Sequence, residues 1–234
     1  MIKESSVWVY LTAGNPPERQ PFHKLLLCER SPYFSALFDG EFVEAGSQTH
    51  HVDNYDFEVI KNFFAWLHTR DLPPFETDKD SPNAKILKDL FKLYTFAEYV
   101  QVKYVGDHII SHIMRHLPEN TVVSLEAINE NFDAVSAHSS LEQFMIDCVI
   151  EHHLPCPSSE AVSTLVQKEP LSAKLAQAVM TQLLMTKQVD DDSVKFEFKL
   201  KKPRRQHTRD LTSCRYHGHA KGSAKNHCPW FKPR

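Results

Sequence analysis

The sequence predicts an α+β domain, because short strand-like segments and amphipathic helices are interleaved in its first half. Residues 7–11, VWVYL, are β-branched and aromatic and indicate a first strand. The turn-forming segment 13–19, AGNPPER, separates it from a short second strand that leads into residues 22–23. Residues 48–52 indicate another strand. We therefore expect a small β-sheet flanked by a cluster of helices.

Two consecutive short helices are predicted over residues 22–44, FHKLLLCERSPYFSALFDGEFVE. Ser31 and Pro32 separate them, since Ser suits an N-cap and Pro suits the first position of the second helix. The second helix carries one broad apolar face, formed by Tyr33, Phe34, Leu37 and Phe38. Two short helices cannot bury this much apolar surface by themselves, so the segment is typical of a docking module rather than a catalytic loop.

Longer helices follow this pair in the chain. Residues 56–68 and 87–117 place apolar side chains at helical spacing. We expect these helices to cover most of the apolar surface of residues 22–44, chiefly through Ile60, Phe63, Leu93, Ala97 and Ile109. The exit from that segment, residues 42–44, then remains for contact with a partner.

The composition excludes several classes of protein. The chain has 234 residues, is 41% hydrophobic and contains 15 Phe, which suits one ordinary domain with a smaller domain or tail. No apolar run reaches the roughly 18 residues of a membrane span, and the N-terminus is too short and polar for a secretory signal peptide. We therefore expect an intracellular protein, cytoplasmic, nuclear or both, that does not bind membranes.

The chain also lacks the usual signatures of an active site. It contains no Gly-rich phosphate loop, no HExxH and no GxSxG motif. His23 has no Ser or Cys nucleophile arranged beside it in the sequence. His108, His112 and His116 recur at one helix face, where an exposed face is favoured over a metal site. We therefore assign no catalytic residue and do not expect an enzyme.

A helical extension is predicted over residues 118–189. Pro118, Glu119 and Asn120 break the preceding helix, and residues 141–153 and 171–185 predict two further amphipathic helices. Three consecutive aspartates at 190–192 mark the start of a tail that runs over residues 190–234.

Charge is distributed unevenly between this tail and the rest of the chain. Residues 195–234 hold 12 Lys and Arg against 2 Asp and Glu, a balance of +10, whereas residues 1–194 carry −13. A basic run stands within the tail, formed by Lys199, Lys201, Lys202, Arg204 and Arg205. It can contact nucleic-acid phosphates, serve as a nuclear localisation signal, pair with the acidic body or remain a solvated linker.

The tail also contains a candidate zinc knuckle with the spacing C-x2-H-x-H-x8-C. Its four candidate ligands are Cys214, His217, His219 and Cys228. Four nitrogen and sulfur ligands suit a closed, structural Zn²⁺ site, and a short tail with few large apolar residues needs such a site to fold. His227 is a competing ligand, and the alternative is an unstructured tail that happens to contain Cys and His.

Two segments resemble a known family. The run FHKLLLCERSPYFSALFDGEFVEAG resembles the signature of the BTB/POZ domain, which it matches at His23, Lys24, Leu27, Ser31, Tyr33, Phe34 and Phe38. The run LYTFAEYVQVKYVGDHII resembles the closing helices of that domain, which it matches at Leu93, Tyr94, Ala97, Tyr99, Val102 and Ile109. The resemblance covers residues 5–117 and implies a BTB/POZ fold. The whole layout looks most like the fungal BTB proteins that carry a C-terminal Cys/His tail.

The resemblance also implies a function. BTB/POZ domains are protein–protein interaction modules that self-associate or dock partners. In members that bind cullins, a hydrophobic-x-Glu motif docks this ubiquitin-ligase scaffold, and here Phe42, Val43 and Glu44 occupy its place. The resemblance thus implies a substrate adaptor, unless Phe42 caps the core and Glu44 is solvated. The alternative function is a nuclear nucleic-acid-binding or transcription-regulatory protein that uses the basic Cys/His tail. A strand-swapped dimer is not expected, because the chain begins almost at its first core strand.

Overall fold

The computed structural model describes residues 7–74, 84–102, 104–116, 123, 125–149 and 173–177. In chain order the elements are β1 Trp8–Ala13, β2 Glu18–His23, α1 Lys24–Arg30, α2 Pro32–Asp39, α3 Val43–Ser47, β3 Thr49–His51, α4 Phe57–Thr69, α5 Ala84–Tyr99, α6 Val105–His116, α7 Leu125–Phe132 and α8 Ser140–Cys148. Residues 173–177 are also helical. The chain divides into two compact units, Met1–His112 and Ile113–Arg234.

The sheet of the first unit is small and mixed, with the strand order β2-β1-β3. β1 pairs antiparallel with β2, so that Trp8 lies opposite His23, and it pairs parallel with β3. The side chains of β1 alternate between the two faces of the sheet. Val9, Leu11 and Ala13 are buried on one face. This sheet among predominantly helical elements confirms the predicted α+β class.

An aromatic core holds the helices of the first unit against the sheet. Its largest fully buried side chains include Phe22, Phe34, Phe38, Phe63, Trp66 and Phe96. The ring centroids of Phe22 and Phe63 lie 5.9 Å apart, and those of Phe34 and Phe63 lie 6.5 Å apart, so that rings of residues 22–44 contact α4. Such pairs add to the stabilisation that area burial alone provides. The predicted packing of residues 22–44 against later helices is therefore confirmed.

Local capping explains where α1 ends and α2 begins. The Ser31 hydroxyl accepts a hydrogen bond from the Phe34 backbone N–H at 3.1 Å and donates one to the Val100 carbonyl at 2.5 Å. Pro32 follows at the first helical position. A single buried serine therefore both caps α2 and joins it to the chain that leaves α5.

Other predictions differ from the structure in their bounds. α3 was not predicted as a helix, and the strand predicted over residues 48–52 is reduced to β3, since Gln48 adopts a left-handed conformation with φ 52°. The sequence of residues 121–132 is ambiguous between strand and helix, and the structure places α7 within these residues. α8 begins one residue before the first predicted helix of the extension and overlaps it as far as Cys148, and residues 173–177 fall within the second.

The second unit contains α7, α8 and the helical residues 173–177. Ser139 caps α8, because its hydroxyl accepts a hydrogen bond from the Glu142 backbone N–H at 3.1 Å. The Glu142 carboxylate in turn accepts from the His138 backbone N–H at 2.8 Å and pairs with Lys174 at 3.2 Å. These bonds satisfy a carboxylate that is almost fully buried.

Candidate protein-docking surface

The candidate docking surface begins where α2 ends. Asp39 is the last residue of α2, and Gly40 turns the chain away from the helix. A Cβ atom added at Gly40 would lie 2.1 Å from the Ala36 carbonyl oxygen, so only glycine permits this close approach. The residues that follow are thereby directed away from the core.

Phe42 and Val43 form the apolar part of this surface. Phe42 is the N-cap residue of α3 and is 60% exposed, and Val43, the first residue of α3, is 85% exposed. Phe34, Leu37 and Phe38 of the preceding helix are by contrast buried. Phe42 therefore does not cap the core. We define Phe42, Val43 and Glu44 as the α3 surface.

Glu44 lies at the end of a chain of polar contacts. Its carboxylate lies 3.5 Å from His50 Nδ1, and its side chain is 31% exposed. His50 Nε2 lies 3.2 Å from the Tyr33 hydroxyl, which lies 3.0 Å from the Tyr99 hydroxyl. α3, β3, α2 and α5 each supply one member. Glu44 is thus partly solvated and partly held in place.

Burial changes the titration of two members of this chain. Burial is the main reason why the pKa of His50 is lowered, although the Glu44 carboxylate tends to raise it. It also raises the pKa of Tyr33, helped by the hydrogen bond to Tyr99. Both shifts favour the neutral forms, so at neutral pH Glu44 faces an uncharged imidazole.

Two carboxylates, Asp39 and Glu41, precede the α3 surface in the chain. Glu41 is exposed, whereas Asp39 forms an ion pair with Lys24 at 2.8 Å. The Lys24 ammonium group also donates to the Phe38 carbonyl at 3.0 Å, which holds the end of α2 in place. An apolar pair beside acidic groups suits a partner that offers an apolar cavity with a basic rim.

A second group of exposed apolar side chains lies where β1 begins and α1 starts. Val7, Trp8 and Leu25 are each about half exposed or more, with Leu25 at 71%. The Trp8 ring meets the His23 ring edge to face, with centroids 5.7 Å apart. Sequence reasoning missed this group, although alternation in VWVYL places Trp8 on the opposite face from Val9 and Leu11.

The predicted histidine face of α6 is not an exposed face at His108 and His112, and this prediction was wrong. His108 Nδ1 accepts a hydrogen bond from Trp66 Nε1 at 2.8 Å, and His112 Nε2 lies 2.9 Å from the Pro73 carbonyl oxygen. Both rings are half-buried. Within the described ranges, His, Cys, Asp and Glu side chains form no group that could hold a metal ion.

Cys28 is unsuited to act as a nucleophile. Its thiol donates to the Phe34 carbonyl at 3.6 Å. Burial raises its pKa to about 11, and the Asp39 carboxylate adds to this effect. A thiol with such a pKa is almost entirely protonated at neutral pH.

The remaining predicted site residues lie outside the described residues. They are the candidate zinc ligands Cys214, His217, His219 and Cys228 and the basic run Lys199, Lys201, Lys202, Arg204 and Arg205. Among the helices that the structure does describe, none is long and apolar enough to cross a membrane.

Comparison with known proteins identifies the first half of the chain. Residues 4–117 match the family of the BTB/POZ domain. This chain carries a BTB/POZ domain. It is also 26% identical, over 159 residues, to a BTB/POZ domain-containing protein of Arabidopsis thaliana. The alignment covers 68% of this chain and 58% of that relative, so the chain spans little more than half the length of the relative.

These matches establish the general class of function. The BTB/POZ domain is a non-catalytic protein–protein interaction module, and the predicted interaction role of the chain is confirmed at that level. The resemblance to fungal BTB proteins stays a prediction, because the relative is a plant protein. The resemblance of the tail to a Cys/His tail of such proteins also stays a prediction, because the family match ends at residue 117.

Proposed function

We propose that the BTB/POZ domain docks a cullin scaffold through the α3 surface and thereby acts as a ubiquitin-ligase substrate adaptor. The observation that carries the proposal is the exposure of Phe42 and Val43 next to a partly held Glu44. Burying one Phe side chain in a partner contributes about 1.5–3 kcal/mol. That contribution is large enough to make Phe42 a hot spot of the interface.

The Glu44 carboxylate supplies the polar contact of this docking surface. Glu44 keeps about a third of its side chain exposed and remains open to a donor on the partner. A charge-assisted hydrogen bond to that carboxylate would fix the orientation of the partner around the apolar plug. The surface thus combines an apolar anchor with one directional polar contact.

Co-purification tests the cullin proposal. The tagged full chain is incubated with the N-terminal domain of a BTB-binding cullin, in the wild type and as Phe42→Ala. The wild type is expected to retain the cullin domain, and the variant to lose most of it. Intact retention by Phe42→Ala would remove the proposed plug.

Self-association is a second proposal, favoured by the other exposed apolar group of the domain. The exposed apolar residues are Val7, Trp8 and Leu25, and the Lys24 backbone N–H donates to the Val7 carbonyl at 2.9 Å, which brings the start of α1 next to the start of β1. A second copy of the chain can cover these side chains. Light scattering on the full chain should show a mass that rises with concentration and a monomer for Leu25→Asp. A wild-type mass that stays monomeric at all concentrations would refute self-association.

Nucleic-acid binding in the nucleus is the alternative proposal, and the balance of +10 over residues 195–234 favours it. Binding of duplex DNA by the full chain should weaken steeply with added salt, because displaced counterions drive such binding. Charge reversal at Lys201, Lys202 and Arg204 should abolish it. Absence of wild-type binding at low salt would exclude this function.

A structural Zn²⁺ in the tail is proposed separately, because its test does not depend on nucleic acid. The purified chain is expected to hold about one equivalent of zinc, and Cys214→Ser is expected to lose it. Metal analysis by mass spectrometry decides the point, and a wild-type chain without zinc would exclude the site.

A further inference from the structure

The polar chain that ends at Glu44 crosses four separate elements of the BTB/POZ domain. Tyr99 is the last residue of α5, Tyr33 lies on α2, His50 on β3 and Glu44 on α3. Successive polar atoms are 3.0, 3.2 and 3.5 Å apart. Residues this distant in sequence are brought together by the fold alone.

The Glu44 carboxylate, at one end of this series of polar contacts, sets the direction of the hydrogen bonds along it. An ionised carboxylate can accept but cannot donate, so the 3.5 Å contact with Glu44 favours the tautomer in which His50 Nδ1 carries the proton. In a neutral imidazole, Nε2 is then an acceptor, and it receives the Tyr33 hydroxyl proton. The Tyr33 oxygen in turn accepts from the Tyr99 hydroxyl. Neutral His50 thus satisfies all four groups at once.

Protonation of His50 breaks this arrangement. The added proton makes Nε2 a donor, so Tyr33 must reverse its hydroxyl toward Tyr99. The His50 side chain is only 13% exposed, and burial opposes the cation. The groups that act on its charge are Glu44 on α3, His51 on β3 and Asp53 after β3. Glu44 and Asp53 favour the cation, whereas His51 opposes it.

We propose that His50 is the positioning residue of the α3 surface and makes docking at this surface sensitive to pH. As a neutral donor it holds Glu44 beside Phe42 and Val43 while leaving the negative charge available to a cationic group of the partner. As a cation it neutralises that charge itself and repels the partner's cation. This inference rests on the proposed docking function of the α3 surface.

The decisive test of the docking effect is a pH series. Affinity of the full chain for the BTB-binding cullin domain is measured at pH 7.5 and 5.5 in the wild type and in His50→Gln. Gln keeps an N–H donor for Glu44 but does not titrate. We expect the wild-type Kd to rise about 5-fold more than the His50→Gln Kd, as suits a partly exposed ion pair. Equal pH dependence in the two proteins would overturn the proposal.

A second measurement needs no partner and separates failure of this inference from failure of the docking function. Ring ¹⁵N shifts of His50 in the free full chain should show the Nδ1–H tautomer at pH 7.5 and a pKa below 6.5. Glu44→Gln should lower that pKa further, because it removes the charge that favours the cation. An Nε2–H tautomer, or a pKa of His50 unchanged in Glu44→Gln, would overturn the proposed chain even if the cullin binds.

Discussion

Replacing Ser31 with alanine removes two hydrogen bonds that meet at one buried hydroxyl. Loss of the N-cap of α2 costs about 0.5–2 kcal/mol. Loss of the donor to the Val100 carbonyl costs a further ~1–3 kcal/mol, because Val100 is fully buried and water does not replace the hydroxyl. Together these effects predict a loss of about 1.5–5 kcal/mol in the free energy of unfolding of the first unit.

Urea denaturation of the full chain measures this loss. Tryptophan fluorescence follows unfolding, and the buried Trp66, whose indole N–H is bonded to His108, reports on the first unit when Trp230 is replaced with Phe. The midpoint for Ser31→Ala should fall by at least about 0.5 M, because the slope of the unfolding free energy is ~1–3 kcal/mol/M for small domains.

The matched control is Ser35→Ala, the same substitution on the half-buried side of the same helix. It should change the free energy of unfolding by no more than about 0.5 kcal/mol. If Ser31→Ala loses less than about 1 kcal/mol, or no more than Ser35→Ala, then Ser31 does not join α2 to the end of α5 as described.

Three further predictions concern reactivity, packing and pH. Cys28 should react with iodoacetamide at pH 7.5 on the order of 100-fold more slowly than in the unfolded chain, since its pKa rises from 9.0 to about 11; equal rates by peptide mass spectrometry would contradict this. Gly106→Ala should lower the free energy of unfolding by about 1–3 kcal/mol, and with it Tm, because the new Cβ would lie 2.6 Å from the buried Tyr94 ring. Gly46→Ala, with open space around its Cβ, should raise the free energy of unfolding by about 0.5–1 kcal/mol. A higher Tm for Gly106→Ala than for Gly46→Ala would contradict the packing described. The lowered pKa of His50 means that below pH 6.5 the unfolded chain binds a proton that the folded chain resists. The stability that neutral His50 contributes is therefore present above pH 6.5 and lost as pH falls. His50→Gln should lose less stability than the wild type between pH 7 and 5, and equal losses would contradict the lowered pKa of His50.

Local signals in the sequence were sufficient to place the helix pair. Ser31 and Pro32 predicted the start of α2, and the structure confirms it because both residues act within one helical turn. α3 was missed because five residues that include a glycine carry no helical period. β3 is a strand because it pairs with β1, which is a distant part of the chain.

The site could be predicted only in part, for the same physical reason. The types of Phe42 and Val43 do not distinguish a core position from an exposed one, and Gly40 and the fold determine their exposure. The series of polar side-chain contacts from Tyr99 through Tyr33 and His50 to Glu44 joins residues up to 66 positions apart in the sequence. No local sequence pattern predicts such contacts. The same applies to the Trp66–His108 bond, whose partners are 42 positions apart.

Calorimetric titration of the full chain with the N-terminal domain of a BTB-binding cullin tests the central claim most directly. The series compares the wild type with Phe42→Ala and with the matched control Leu25→Ala, another exposed apolar residue of the same domain. We predict binding by the wild type, an affinity at least about 10-fold weaker for Phe42→Ala and a change below about 2-fold for Leu25→Ala. No binding by the wild type, or equal affinity of Phe42→Ala and the wild type, would contradict docking through the α3 surface.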